Sequence, residues 1–384
     1  MFSRRTNWDL APNRFTRAVE QHRRAGREVL DLTASNPTAV GFEYDPSLLH
    51  VLANPAALGY SPDAKGMCSA CEAVSEYYAT RGEHVPQENI ILTTSTSEAY
   101  SFVFRLLCDP EDEVQIPAPG YPLFDFLGTL QDVRLKPYGL FYDHGWHLDA
   151  HSVRTAVTDR TRAVMAVHPN NPTGSYVHPG DAAQLNAIAA ERELGLVIDE
   201  VFLDFAHDGQ PRPSFAVNDA ALTFTLSGLS KIAGLPQMKF AWIVVSGPES
   251  LVATALERLE VIADTYLSMN APIQLAAPAM FAARESFQRQ LMARVRANLA
   301  ELDAQLARQS LCSRLEVEAG WYATLRVPVG RTDEELAIEL LEQLDVLVHP
   351  GHFYEFSGDG YLVLSLIAPE AEFREGVLRL LKSF

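Results

Sequence analysis

What the chain has little of narrows its class first. Four cysteines in 384 residues are too few for a disulfide framework, so a reducing cytoplasm is the expected setting. No stretch approaches the roughly 18 uninterrupted apolar residues of a membrane span. The basic residues between Met1 and Asp9 have no apolar run behind them, which argues against a signal peptide. Basic residues are also in the minority, 31 Lys and Arg against 49 Asp and Glu, for a net charge of -18. A phosphate backbone demands a basic surface, so a nucleic-acid partner is not expected. Cys68 and Cys71 have Cys-x-x-Cys spacing, but no second pair or nearby histidine completes a zinc site. Their segment, Gly66 to Arg81, reads as a helix. No internal repeat or low-complexity tract is present.

What is present is ordinary for a soluble α/β chain: 47% hydrophobic and 21% charged residues. Residues 14 to 25 read as a helix and Val29 to Thr33 as a short strand, followed by a turn at Asn36-Pro37. From about residue 45, helical segments alternate with seven apolar runs: Ile90 to Thr93, Glu113 to Ile116, Val133 to Tyr138, Ala163 to Val167, Leu194 to Asp199, Ala221 to Leu226 and Ala241 to Ser246. This pattern predicts a mostly parallel seven-stranded sheet sandwiched by helices. A helix from Ser286 to Gln309 leads to strands near Leu315 to Val317 and Trp321 to Val327. A helix (Thr332 to Gln343), strands (Val346 to His349, Tyr361 to Leu366) and a last helix (Glu370 to Lys382) complete a smaller α+β domain. The expected division is a large domain over 45–285 and a small one from both chain ends, 1–44 and 286–384.

Ligands of parallel sheets sit beyond the carboxyl ends of the strands, so the loops there carry the chemistry. The segment Thr225 to Ile243 places Lys231 among small residues between two apolar runs. Desolvation there lowers an amine's pKa and suits it to imine formation. Ser95, Thr96 and Ser97 open an apolar helix, as a cap or as an anion site. Pro117 to Pro122 hold Tyr121 at a strand end, and His168 to Gly174 hold Asn171 at the mouth of the sheet. Asp199 ends a buried run, where its charge calls for a cationic partner.

Taken in order, these motifs resemble the class I/II aminotransferases of the fold type I pyridoxal-phosphate enzymes, from about Asp31 to Leu381. The resemblance implies that Lys231 carries pyridoxal 5'-phosphate through an imine and moves the substrate's proton. Asp199 would pair with the pyridine nitrogen, making the ring an electron sink. Tyr121 would stack on the ring, Asn171 would bond its phenolic oxygen, and Ser95, Thr96 and Ser97 would cradle the phosphate. Tyr60, in Tyr60-Ser61-Pro62, would reach in from a second subunit of a homodimer with shared active sites. The activity implied moves an amino group between an amino acid or amine and a 2-oxo acid. A lyase that eliminates a β-substituent on the same fold is the alternative, and a non-catalytic regulatory domain a third reading.

The chain also departs from that pattern. Lys239 stands where the family places a phosphate-binding arginine, keeping the charge without the fork. Gly228 replaces a common phosphate-contacting serine, and Ser227 and Ser230 are the nearby hydroxyls. Val363 replaces the arginine that clamps the substrate carboxylate. Either another group binds the carboxylate or the substrate lacks one there. Asn36, Tyr322 and His352 are the candidate replacements. Phe202 stands where a tyrosine would donate to the cofactor's phenolic oxygen. Without that donor the lysine–cofactor linkage should keep its proton to a higher pH than in relatives with the tyrosine. A pH titration of cofactor absorbance checks this: the Phe202→Tyr variant should titrate at a lower pH than the parent.

Overall fold

The computed structural model describes residues 1–267 and 269–384. In chain order the strands are β1 (Leu30–Asp31), β2 (Ile90–Thr93), β3 (Glu113–Ala118), β4 (Arg134–Tyr142), β5 (Trp146–Leu148), β6 (Thr161–Val167), β7 (Gly195–Asp199), β8 (Thr223–Gly228), β9 (Ala241–Ser246), β10 (Ser313–Arg314), β11 (Tyr322–Arg326), β12 (Val346–Leu347), β13 (His349–Pro350) and β14 (Tyr361–Ser365). The α-helices are α1 (Arg14–Arg24), α2 (Cys68–Ala79), α3 (Thr96–Leu107), α4 (Phe124–Leu130), α5 (Ala150–Ala156), α6 (Pro179–Arg192), α7 (Leu229–Ile232), α8 (Glu249–Tyr266), α9 (Ala271–Leu306), α10 (Asp333–Leu344) and α11 (Glu370–Leu381).

All seven apolar runs form strands of one sheet, ordered β2-β9-β8-β7-β6-β3-β4-β5. From β4 through β3, β6 and β7 to β8 the neighbours are parallel, while β9 runs antiparallel to both β8 and β2. The runs lack polar alternation because both faces of the sheet are covered. Ala163, Met165 and Val167 of β6 pack into a core with α3, α4 and α8, while Val164 and Ala166 pack into another with α5 and α6. The expected count of seven strands is corrected to eight. The addition, β5, pairs antiparallel with an extended β4 across a turn in which Asp143 N donates to Gly145 O at 2.8 Å. Its three residues are too short for a period-2 pattern to show in sequence.

The chain ends meet in a separate layer. β1 pairs in parallel with β12, and Phe15, Ala18 and Leu32 share a core with Leu336, Leu340, Phe373 and Val377. The order β10-β11-β14-β13 forms a four-stranded antiparallel sheet. The single run expected over Val346 to His349 serves two sheets, because its first half meets β1 and its second half meets β14. The strand expected at Leu315 to Val317 is two residues earlier, at Ser313–Arg314. Helix α9 starts at Ala271, well before Ser286. Asn270 caps it, accepting from Ile273 N at 3.1 Å, and Pro272 occupies its first turn. The boundary expected at residue 286 therefore falls within a continuous helix. Buried Asn298 on α9 donates to Leu366 O at 2.9 Å and Ala368 O at 2.8 Å, fastening the segment that follows β14 to that helix. Cys68 and Cys71 lie on α2 as free thiols, one exposed and one buried. Among the described residues no helix is long and apolar enough to cross a membrane.

One glycine ties the two layers together. Gly174 has φ +68°, and a Cβ built on it would sit 2.4 Å from Ala319 O. Its own carbonyl accepts from Ala319 N at 2.9 Å. The Asn170–Gly174 loop is thereby pressed against the segment that leads into β11. Gly174→Ala should cost at least about 1 kcal/mol from the left-handed backbone alone, and more from the overlap. Urea unfolding should therefore show a lower midpoint for Gly174→Ala than for the control Gly180→Ala, where nothing lies within 4 Å of the added Cβ.

Candidate active site

The carboxyl ends of the parallel strands converge on one cleft of about 410 Å³. Tyr121 follows β3, Asn171 follows β6, Asp199 ends β7 and Lys231 follows β8; all four line the cleft. Thr96 enters from the start of α3, and Tyr322, His349, Phe353 and Tyr354 enter from the smaller layer.

Lys231 sits in α7, a single turn that leaves β8 at Gly228. Leu229 N donates to Phe240 O at 2.9 Å and sets the direction of that turn. The Lys231 amine lies 4.9 Å from the ring centre of Trp321 and 5.7 Å from that of Phe202. Burial pushes its pKa down to about 8, and the Asp199 charge opposes that shift. Asp199, 7% exposed, is held in two ways. Its Oδ2 accepts from the Tyr100 hydroxyl at 2.8 Å, and its Oδ1 accepts from Val201 N at 3.0 Å. Burial raises its pKa, while these two donors and the Lys231 charge pull it back. The cation that the sequence called for is thus Lys231 itself, seconded by a phenol.

Tyr100 was not singled out in the sequence. It lies on the apolar face of α3 and reads there as core; only the helix's position against the end of β7 brings its hydroxyl to the carboxylate. Asn171 is buried with its Oδ1 unpartnered among the described residues. Tyr121 is 42% exposed, packs edge-on against Phe124 and belongs to a loop tied to the smaller layer by Gly120 N donating to Tyr354 O at 2.9 Å. Ser95 caps α3, its Oγ accepting from Glu98 N at 3.1 Å. The first-turn amides of Thr96 and Ser97 have no intrahelical partner and are free for an anion. Ser227 Oγ is buried without a partner among the described residues, and Ser230 lines the cleft. Gly228 has no room for a serine, because an added Cβ would lie 2.9 Å from Phe240 O.

The remaining expected residues divide. Phe202 and Tyr322 line the cleft, both buried. Asn36 is exposed at an adjoining opening shared with Ser35, Lys231 and Gln237, its Oδ1 accepting from Thr38 N at 3.0 Å. Lys239 is exposed in a left-handed turn (φ 53°) outside the cleft lining, and Tyr60, 79% exposed, also lies outside it. His352 and Val363 are not brought into the cleft. The turn Gly351–Tyr354 leaves His352 exposed while Phe353 and Tyr354 face in, and Val363 is fully buried in its strand. The histidine that enters is His349, three residues earlier in the same run and not named from sequence. Alternation along a strand as short as β13 could not show which histidine points inward.

Comparison with known proteins shows the family. The family described as "Aminotransferase class I and II" matches residues 47–377, and the chain belongs to it. The glutamate-pyruvate aminotransferase AlaA of Escherichia coli K12 is 32% identical over 255 residues, 65% of this chain and 63% of that protein. An alanine aminotransferase of Mycobacterium tuberculosis is 29% identical over 272 residues, 68% of this chain and 62% of that protein. The matched stretch thus spans under two thirds of these curated relatives. The solved alanine aminotransferase from Pyrococcus furiosus superposes over 100% of this chain and 99% of its own, with a TM-score of 0.90 at 22% identity, a likeness of fold.

Tyr100 gives the site a test of its own. A hydrogen bond to a charged group contributes about 1.5–3 kcal/mol, and about 1.4 kcal/mol corresponds to one pKa unit. Removing the hydroxyl deprives the Asp199 carboxylate of a donor and raises its pKa further. The charged form is then lost at a higher pH as the solution is acidified. In Tyr100→Phe, the Asp199 carboxyl should take up its proton at a higher pH than in the parent, as read from its infrared carbonyl band.

Proposed function

We propose that this cleft is the active site of a pyridoxal-phosphate-dependent aminotransferase. One observation carries the reading: a lysine amine with a depressed pKa lies under aromatic rings beside a buried carboxylate, at the carboxyl ends of parallel strands. The residues fit the cofactor. Asn171 has an unpartnered buried amide oxygen, whose amide group can turn to meet a phenolic oxygen. The start of α3 offers free amides for a phosphate, and Asp199 can keep a pyridine nitrogen protonated. Bound there, pyridoxal phosphate supplies an electron sink next to the amino carbon of the substrate. Lys231 would hold the cofactor covalently, and its amine, once freed, would be the group that takes up and returns the proton of the substrate's amino carbon. Tyr121 would pack against the cofactor's ring, and the Phe202 and Trp321 rings exclude water around the Lys231 amine. Thr96, Ser97 and Ser230 take the phosphate.

The same reading extends to assembly. Tyr60 stands on the surface with its ring exposed, which suits a residue lent to the cleft of a second subunit in a homodimer. Lys239, also exposed, suits the outer side of the phosphate. Residues 45–285 form the larger cofactor-binding domain, and 1–44 with 286–384 the smaller one, joined through α9. The setting is the cytoplasm, and the partners are a small amino donor and an oxo-acid acceptor.

Absorbance of the cofactor-loaded protein, titrated with amino acids and simple amines in the absence of any oxo acid, tests the reading. Loss of the visible band with formation of pyridoxamine phosphate is the expected result, and Lys231→Ala should lose turnover by at least 10³-fold, on the order of the loss of a covalent nucleophile. Ammonia release without pyridoxamine phosphate would replace the transferase by a lyase, and full turnover by Lys231→Ala would overturn the mechanism.

A further inference from the structure

The wall of the cleft contributed by the smaller layer carries no charge. Register in the four-stranded sheet pairs Val363 with His349 on one side and with Thr324 on the other. Directly paired residues share a face, and Tyr322, two residues before Thr324, shares it too. Two members of this face, Tyr322 and His349, line the cleft, together with Phe353 and Tyr354. Val363 and Thr324 lie buried behind them. His349 Nδ1 is 2.9 Å from the Tyr354 hydroxyl, which leaves Nε2 as the ring nitrogen for a ligand. Burial holds the imidazole neutral, with its pKa lowered to about 4, although Asp31 pulls it upward. Lys231 is the only cationic side chain in the lining among the described residues, and Asp199 is a fixed carboxylate in the same lining. Among the described residues no arginine lines the cleft.

A carboxylate pressed against this wall would leave water without gaining a counter-charge, and an unpaired buried anion is strongly unfavourable. Aromatic faces, a neutral imidazole and phenolic hydroxyls instead suit an apolar, hydroxyl or amide group, whose few hydrogen bonds they can satisfy. We propose that the group a substrate lays against this wall is uncharged. The amino donor is then a primary amine with an apolar, hydroxyl or amide substituent beside its amino carbon, rather than an α-amino acid, and by reversal of the half-reaction the acceptor is an oxo compound whose carboxylate, if it has one, stands away from the carbonyl carbon. His349, beside Val363, is the specificity-determining residue. This inference rests on the reading of the cleft as an aminotransferase site and narrows its substrate class.

The test compares two ligands of one skeleton that differ in charge, 3-phenylpropanamide and 3-phenylpropanoate, by isothermal titration into the cofactor-loaded protein at pH 7.5. The amide should bind at least tenfold more tightly. Equal or tighter binding of the carboxylate overturns the proposal, as it would if a second subunit supplied a cation; so does absence of binding by both. In His349→Arg, which sets a guanidinium on the same face, the ratio should shift by tenfold or more toward the carboxylate. An unchanged ratio removes His349 from its assigned role. The underlying reading is tested apart from this, by the visible absorbance of the loaded protein and its loss in Lys231→Ala. A protein that loads the cofactor on Lys231 but prefers the carboxylate refutes this inference alone. One that does not load it refutes the reading beneath.

Discussion

A carboxylate and an amine, both withdrawn from water, set the conditions for the rest of the cleft. Each is pushed by burial toward its neutral form and pulled back by the other's charge. The balance leaves a lysine far easier to deprotonate than one in water and an aspartate that still has reason to be charged. Neither residue could be held this way alone, since an isolated buried charge neutralises or unfolds its site. The Tyr100 hydroxyl and the Val201 amide complete the arrangement by occupying the carboxylate's two oxygens.

The sheet makes that pairing possible at all. Adjacent parallel strands β7 and β8 are in register with Asp199 opposite Leu226, so the residues at their carboxyl ends are neighbours in space without any local sequence relation between them. Apolar side chains of alternate residues pack into two different cores on the two faces of the sheet, so a one-residue slip would exchange side chains between cores that are shaped for others. The position of the two groups thus depends on packing far from either. The smaller layer closes the open side of the cleft through few but specific ties. Gly120 bonds to Tyr354, Gly174 presses on Ala319, and Ser365 N donates to Leu32 O at 2.7 Å, joining the two ends of the chain. The ring of Trp321, fully buried where β11 begins, places this layer directly over the Lys231 amine.

The departures from the family pattern acquire physical form in this setting. Phe202 and Trp321 stack edge to face, with ring centres 5.2 Å apart; an apolar surface stands where a phenol would have donated. Gly228 is enforced by the approach of Phe240 O rather than left free for a serine. Val363 is compatible with full burial because its cross-strand neighbour His349 is itself neutral and bonded to Tyr354. Phe202, Gly228 and Val363 alike put an uncharged residue without a side-chain donor in or behind the cleft.

The sequence by itself determined the strands and most of the helices. Runs such as Leu194 to Asp199 and Ala241 to Ser246 are apolar without alternation, and only a sheet covered on both faces can bury them. It also pointed to Lys231, Asp199, Asn171 and Tyr121, which line the cleft, because each sits at or just beyond the carboxyl end of a buried strand. Tertiary structure alone decided which histidine of the His349–His352 run faces the cleft, that Tyr100 serves Asp199 rather than only the core, and that one apolar run from Val346 divides between two sheets. Those outcomes depend on which elements pack against a residue. A chain read in order carries the period of a strand or helix but not the identity of the partner across from it.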